Sequence, residues 1–269
     1  MIPVISVGSL KTSGTSTLAM TLAGVAAAAE IPVIVIDAAR DGDLAAWAQA
    51  GLPAKVTVER TNDPLVIEQL VRAARRRGDA AIIDAGDEGE MIRLCARLAD
   101  HALIPVRFSP LSAYSALLTD QLLAADAGTG RKGRDRCFVA SAVTAIPSRV
   151  ARSVEAIIGT SETRRLPIGL VQRAAYEAPF LHGGTIFTLP DEVAPGLDRA
   201  RVGDLAVLEH DHPWRVDLVG GVHGEHLAHV QHDRVGRASG RSSGRGQRRR
   251  NENGQGVQRH HARPPLCAS

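Results

Sequence analysis

The chain has 269 residues, room for one α/β domain or two small ones, and a net charge of +3 at pH 7. No apolar run reaches the roughly 18 residues that a spanning helix needs, so no membrane segment is expected. Three widely spaced cysteines, Cys95, Cys137 and Cys267, argue against a disulfide framework or a zinc centre and fit a reducing cytoplasm.

No basic segment precedes the first apolar run, so no signal peptide is expected either. The charge is uneven. Residues 201–269 carry 11 Arg and no Lys against 7 Asp and Glu, a surplus of +4, which leaves −1 for the first 200 residues. That basic surplus is a weak pointer to nucleic acid.

Residues 4–7 are apolar and β-branched and read as a strand. A loop of small and hydroxylated residues follows, and a helix rich in alanine is expected over 18–30. The continuous apolar run at 31–36 reads as a parallel strand buried on both faces, ending at Asp37. Residues 56–59 give a further short strand. Over 64–77 the spacing predicts an amphipathic helix with Leu65, Ile67, Leu70, Val71 and Ala74 turned inward, and its basic tail suits the helix dipole.

A buried strand is expected at 80–84 and a helix at 88–99, then a strand at 102–106 and a helix at 111–125. Residues 128–136 read as a polar, basic loop. A strand at 138–143, a helix at 148–158, a last strand at 166–171 and a short helix at 174–182 complete the pattern. Strands alternating with helices predict an α/β fold, a mostly parallel sheet flanked by helices on both faces. Ligands on such sheets sit at the carboxyl ends of the strands, where the Lys11 loop, Asp37 and Asp84 all fall.

The pattern is expected to stop near residue 190. Residues 191–269 read as a disordered basic tail rich in His, Arg and Gly, with eight of the ten histidines beyond residue 200. Its composition fits two origins, a natural disordered tail or a frameshifted end. His223, His226, His229 and His232 have helical spacing, but no cysteine or carboxylate framework accompanies them. Arg75, Arg76 and Arg77 read as a solvated helix end.

The stretch Ser9-Leu-Lys-Thr-Ser-Gly-Thr-Ser-Thr-Leu18 joins a strand to a helix start, a geometry that cradles phosphates through unpaired backbone N–H groups. A hydroxyl from Ser16 or Thr17 suits Mg²⁺. The stretch resembles the deviant Walker A motif, K-G-G-x-G-K-[ST]-T, of the ParA/MinD group of P-loop ATPases. It differs in having Thr12-Ser13 for the glycine pair, Thr15 for the second lysine, and a loop one residue shorter. The likeness extends over most of residues 1–190. Val33-Ile-Val-Ile-Asp-Ala-Ala-Arg-Asp-Gly-Asp-Leu44 resembles the I-D-x-D-P-Q-G segment, with Ala39 at the second aspartate. Asp79-Ala-Ala-Ile-Ile-Asp84 resembles the Walker B strand. Ala99-Asp-His-Ala-Leu-Ile-Pro-Val-Arg-Phe-Ser-Pro110 is similar to A-D-x-x-L-I-P-V-x-P-S-P. Gln172-Arg173, Tyr176 and Gly184-Thr-Ile-Phe187 resemble motifs near the end of ParA domains.

The resemblance implies a P-loop ATPase that binds ATP and Mg²⁺. Lys11, Thr12, Ser13, Gly14, Thr15, Ser16 and Thr17 would hold the nucleotide. Ser16, Asp37 and Asp84 would serve the metal. Lys11 would act catalytically, with Asp41 standing in for the aspartate missing at Ala39. It further implies a nucleotide-dependent homodimer, a ParB-like partner, non-specific DNA binding and a cytoplasmic, nucleoid-associated protein that partitions plasmids or chromosomes or positions other cargo. Thr15 and Ala39 imply impaired hydrolysis. Two alternatives stand beside this reading, a non-catalytic regulator and a P-loop enzyme of small-molecule metabolism.

Overall fold

The computed structural model describes residues 2–11, 14–127, 135–144, 146–167 and 169–201. Six strands form one sheet: β1 (Val4–Gly8), β2 (Val33–Asp37), β3 (Val56–Arg60), β4 (Ala80–Gly86), β5 (His101–Val106) and β6 (Asp135–Ala140). Their order across the sheet is β3-β2-β4-β1-β5-β6, and every pairing is parallel. The helices are α1 (Thr15–Ala28), α2 (Asp43–Ala50), α3 (Pro64–Arg77), α4 (Gly89–Leu98), α5 (Pro110–Ala127), α6 (Arg149–Gly159) and α7 (Ala178–His182).

The period-2 alternation of the strands sorts two cores. Val33, Val35, Ile82 and Leu103 face one side, with Leu18, Met20 and Ala23 of α1 and Leu44 and Trp47 of α2. Ile34, Ile36, Ile83 and Ile104 face the other, with Ile67 and Val71 of α3, Ile92 and Cys95 of α4, Ala116 of α5 and Ile158 of α6. Because both faces are covered, β2 and β4 can be apolar at almost every position, the feature that identifies them in the sequence. The expected α/β architecture with helices on both faces is therefore the observed one.

Several local expectations differ. Residues 166–171 form no strand among the described residues; one isolated bridge, Phe138 to Arg165, lies just before the stretch and another, Val143 to Val171, at its end. Pro167 has no N–H to give to a ladder. The expected helix at 174–182 divides into a 3₁₀ turn, Ala174–Tyr176, and α7, with Pro179 inside its first turn. α2 escapes the sequence pattern because it is short and alanine-rich. β6 starts at Asp135 rather than at 138, since Arg136 is neutralised by Asp120 at 2.8 Å. In α3, Ile67, Val71 and Ala74 are buried as expected, whereas Leu65 in the first turn is 68% exposed.

The core continues past residue 190, through Ala194, Leu197 and Ala200. Arg201 ties this end down by donating to the Ile186 and Leu189 carbonyls, both at 2.6 Å. Of the basic loop expected at 128–136, Asp135 and Arg136 belong to β6, and residues 128–134, the histidine series and the rest of the expected tail lie outside the described residues.

α2 is clamped to the turn that follows α7. Trp47, fully buried, donates from Nε1 to the Gly184 carbonyl at 2.8 Å, and the Gly184 N–H donates to the Gly51 carbonyl at 2.7 Å. Gly183 stands at φ 73°, and a Cβ there would lie 2.3 Å from the Ala50 carbonyl oxygen. Gly183→Ala therefore combines backbone strain with a clash against main chain. It should lower the unfolding free energy by about 2 kcal/mol or more, read from the denaturant midpoint. A midpoint equal to that of the wild type would contradict this packing.

Candidate functional site

The site grows from the register of three neighbouring strands. Val7 of β1 and Asp37 of β2 both pair with Asp84 of β4, so the two aspartates stand side by side at one level of the sheet. The chain leaves β1 at Gly8 and reaches the start of α1 at Gly14, whose φ of 86° lies in the left-handed region that favours glycine. Gly14 lets the loop turn over the strand ends and enter α1, where the Leu18 N–H donates to the Gly14 carbonyl at 3.0 Å. No side chain caps this helix start and no acidic residue lies in its first turn. Its partial positive charge therefore remains available.

The two aspartates are almost completely buried. Asp84 Oδ1 accepts from the Gly86 N–H at 3.1 Å, while Oδ2 makes no hydrogen bond of normal geometry. Burial pushes its pKa up to about 6. The neighbouring Asp37 charge adds to the rise, and the Ser16 hydroxyl, the Gly86 N–H and the Thr15 hydroxyl nearby oppose it. Asp37 Oδ2 accepts from the Ala45 N–H at 2.8 Å, in the first turn of α2, and Oδ1 has no partner. Burial raises the Asp37 pKa as well, against the Ala45 N–H and the positive charge of Arg60.

Four buried side-chain polar atoms lack a partner among the described residues, and three are Ser9 Oγ, Asp37 Oδ1 and Asp84 Oδ2. All three lie at the carboxyl end of the sheet under one cleft. An orphaned buried acceptor costs roughly 1–3 kcal/mol, so its concentration here points to an absent binding partner. Hard carboxylate and hydroxyl oxygens without imidazole or thiol suit Mg²⁺, which takes one or two carboxylates and completes its shell with water and phosphate. Among the described residues no group of three or more His, Cys, Asp or Glu forms a cage for a metal by itself. Asp84, Asp37 and Ser16 fit an ion that relies on a second ligand.

The cleft measures about 430 Å³. It brings together Lys11, Gly14, Thr15, Ser16, Thr17 and Asp41 of the sequence candidates, above Asp37 and Asp84. Thr12 and Ser13 lie outside the described residues. Arg40, Asp43, Asp87, Arg107 and Phe180 also line it and were not singled out from the sequence. Arg107 belongs to the stretch 99–110, whose resemblance to a family motif assigns no site residue. Phe180 reaches the cleft from α7, far along the chain, and gives no local signal. Ala39 lines the cleft beside them.

No family model matches the chain. A curated relative, protein ParA of Rhizobium radiobacter, is 26% identical over 218 residues, covering 77% of this chain and 96% of the relative. Among solved structures, apo McdA of Cyanothece superposes with a TM-score of 0.63 at 15% identity, over 77% of this chain and all of McdA. MinD of Aquifex aeolicus gives 0.59 at 17%, over 78% of this chain and 98% of MinD. A ParA family ATPase of Chlorobium tepidum gives 0.56 at 17%, over 78% and 99%. The chain has a ParA/MinD-like P-loop fold, as the ordered motifs imply.

The raised Asp84 pKa predicts a pH dependence with a definite sign. Without metal, the folded protein holds this proton more tightly than the unfolded chain. The stability it contributes is complete below its ordinary value of 3.8 and is lost as pH rises through about 6. The loss amounts to about 3 kcal/mol at neutral pH, at 1.36 kcal/mol per pKa unit. In chelator, Asp84→Asn should exceed the wild type in stability at pH 7.5, and the gap should close by pH 4. Parallel denaturation curves for the two proteins would refute this.

Proposed function

We propose that this chain is an ATP-binding partition or positioning protein of the ParA type, with hydrolysis weakened by its own sequence. The observation that carries this reading is the meeting, in one cleft, of an uncapped helix start with two buried carboxylates that each keep an open oxygen. An anion at the helix N-terminus and a cation at the carboxylates satisfy both halves. The similarity to ParA along nearly its whole length supports the role. MinD of Aquifex aeolicus forms a complex with MinC, and an aspartate-to-alanine form of Cyanothece McdA forms a complex with ATP. By the same logic this chain works as a nucleotide-dependent homodimer with a ParB-like partner and non-specific DNA. Among the described residues no helix is long and apolar enough to cross a membrane.

Each residue has a task in this reading. The N–H groups at the start of α1 and the Thr15 and Thr17 hydroxyls hold phosphate oxygens, and Lys11 offers a cation from the loop. Ser16, Asp37 and Asp84 hold Mg²⁺, which when bound neutralises phosphate charge. Asp41 at the cleft edge is the carboxylate left to orient water, because Ala39 has none. Thr15 brings no cation where charge grows in the transition state. Binding keeps most of its donors, and catalysis loses two.

A second reading, a nucleotide-bound regulator without turnover, is favoured by Ala39 and differs only in the rate. Calorimetric titration with Mg-ATP and a phosphate-release assay separate the two. Binding is expected, with turnover well below that of a ParA with both lysines, and Asp84→Ala should remove the Mg²⁺-dependent part of the affinity. Thr15→Lys with Ala39→Asp should raise turnover by about 100-fold or more, the usual size of one electrostatic contribution, while affinity changes far less. Vigorous wild-type turnover that Asp84→Ala abolishes would overturn the assignment of impaired hydrolysis.

A further inference from the structure

The cleft contains an arginine, Arg107, whose charge no described residue pairs. Arg107 follows β5 immediately. β5 continues three residues past Leu103, the partner of Val7, a rise of about 10 Å. That rise lifts Arg107 to the level of the loop that leaves β1, and its side chain lines the cleft with Lys11 and Thr15.

Its backbone is held firmly. The Arg107 N–H donates to Ser112 Oγ at 2.9 Å, the Ser109 N–H donates to the Arg107 carbonyl at 2.8 Å, and the Ser141 N–H donates to the Val106 carbonyl at 2.9 Å. Yet among the described residues the guanidinium makes no ion pair and no side-chain hydrogen bond. Other arginines on this side of the sheet are neutralised: Arg136 by Asp120, Arg165 by Glu155 and Arg93 by Asp126. A fixed stem with a free charged head, turned to a cleft, suits recognition of an anion from outside.

Position selects Arg107 over Arg40. In the sheet, β1 lies between β4 and β5. The carboxylates Asp37, Asp41, Asp43, Asp84 and Asp87 all come from β2, β4 and the segments after them, on one side of the loop. Arg107 comes from the other side. Arg40 shares its loop with Asp41 and Asp43, and its carbonyl accepts from Arg60 at 3.0 Å.

We infer that Arg107 supplies, from the end of β5, the phosphate-binding cation that the loop lacks at Thr15. A polyphosphate lying over the loop would then meet metal ligands on one flank and a guanidinium on the other. This inference rests on the proposed ATP site and adds to it the residue that compensates for the degenerate loop.

The test is equilibrium titration of the full chain with Mg-ATP, with inorganic tripolyphosphate and adenosine as competitors. Arg107→Gln should weaken ATP and tripolyphosphate alike by about tenfold or more, the usual effect of losing a charge-assisted contact. Adenosine should compete as before, the melting temperature should hold because the residue is exposed, and Arg107→Lys should recover most of the loss. Arg40→Gln should leave ATP affinity within about twofold. Arg107→Ala replaces the Gln variant if that one does not fold. ATP affinity within twofold of the wild type after loss of the arginine overturns the inference, as does an equal loss for adenosine, which marks altered shape. A wild type that binds no ATP instead overturns the proposed function, and the inference with it.

Discussion

Two carboxylates buried side by side govern this structure. Asp37 and Asp84 share one level of the sheet because β2 and β4 pair in register; burial raises the cost of ionising both, and the Asp37 charge adds to that of Asp84. In a monomer at neutral pH such a pair is a liability, since charge is removed from water without a counter-ion. The surroundings offset part of it with the Gly86 and Ala45 N–H groups and leave one oxygen of each aspartate open. A divalent cation held there, as proposed, would offset the remaining conflict. The apolar strands that lead to these residues, the left-handed Gly14 and the uncapped start of α1 all converge on the same place.

The same pair connects the cleft to the far end of the described chain. Asp37 holds the first turn of α2 through Ala45. α2 in turn buries Trp47, which grips Gly184. From Gly184 the chain runs into the segment that packs Ile186, Leu189 and Leu197 against the core on the α1 side of the sheet. Asp37 is thus both a candidate metal ligand and the anchor of a helix. Its removal would disturb packing as well as binding, which makes Asp84 the cleaner probe of the site.

Much of the fold could be read from the sequence, because burial on both faces leaves a local signature. Runs such as 33–36 and 80–83 need no long-range information to be recognised as interior parallel strands. Asp37 and Asp84 could be read for the same reason, as charges that end such runs. α2 could not, since its stability comes from Trp47 meeting Gly184, 137 positions later. The exposure of Leu65 escaped too, because periodicity gives the buried stripe of a helix and not where the neighbouring layer ends. Pro167 and Pro179 did carry local warnings, and the structure breaks the expected strand and helix around them. Arg107 and Phe180 reach the cleft only through the topology, so no window of sequence places them beside Lys11.

In the proposed ATP site, affinity and turnover would draw on different parts of the cleft. In that site the helix start and the carboxylates would act on a nucleotide already at rest, and neither depends on a lysine at position 15. The extra charge that appears on phosphate oxygens during transfer needs a cation that is fixed before the reaction begins. In this chain the candidates are Lys11, on the loop itself, and Arg107, on a rigid strand end across the cleft. As proposed, a guanidinium there would bind phosphate in the ground state as well as later, so it would strengthen affinity more than it lowers a barrier. On the proposed reading, Thr15 and Ala39 would favour a nucleotide-bound state that lasts, because binding keeps most of its donors while the barrier loses two contributions.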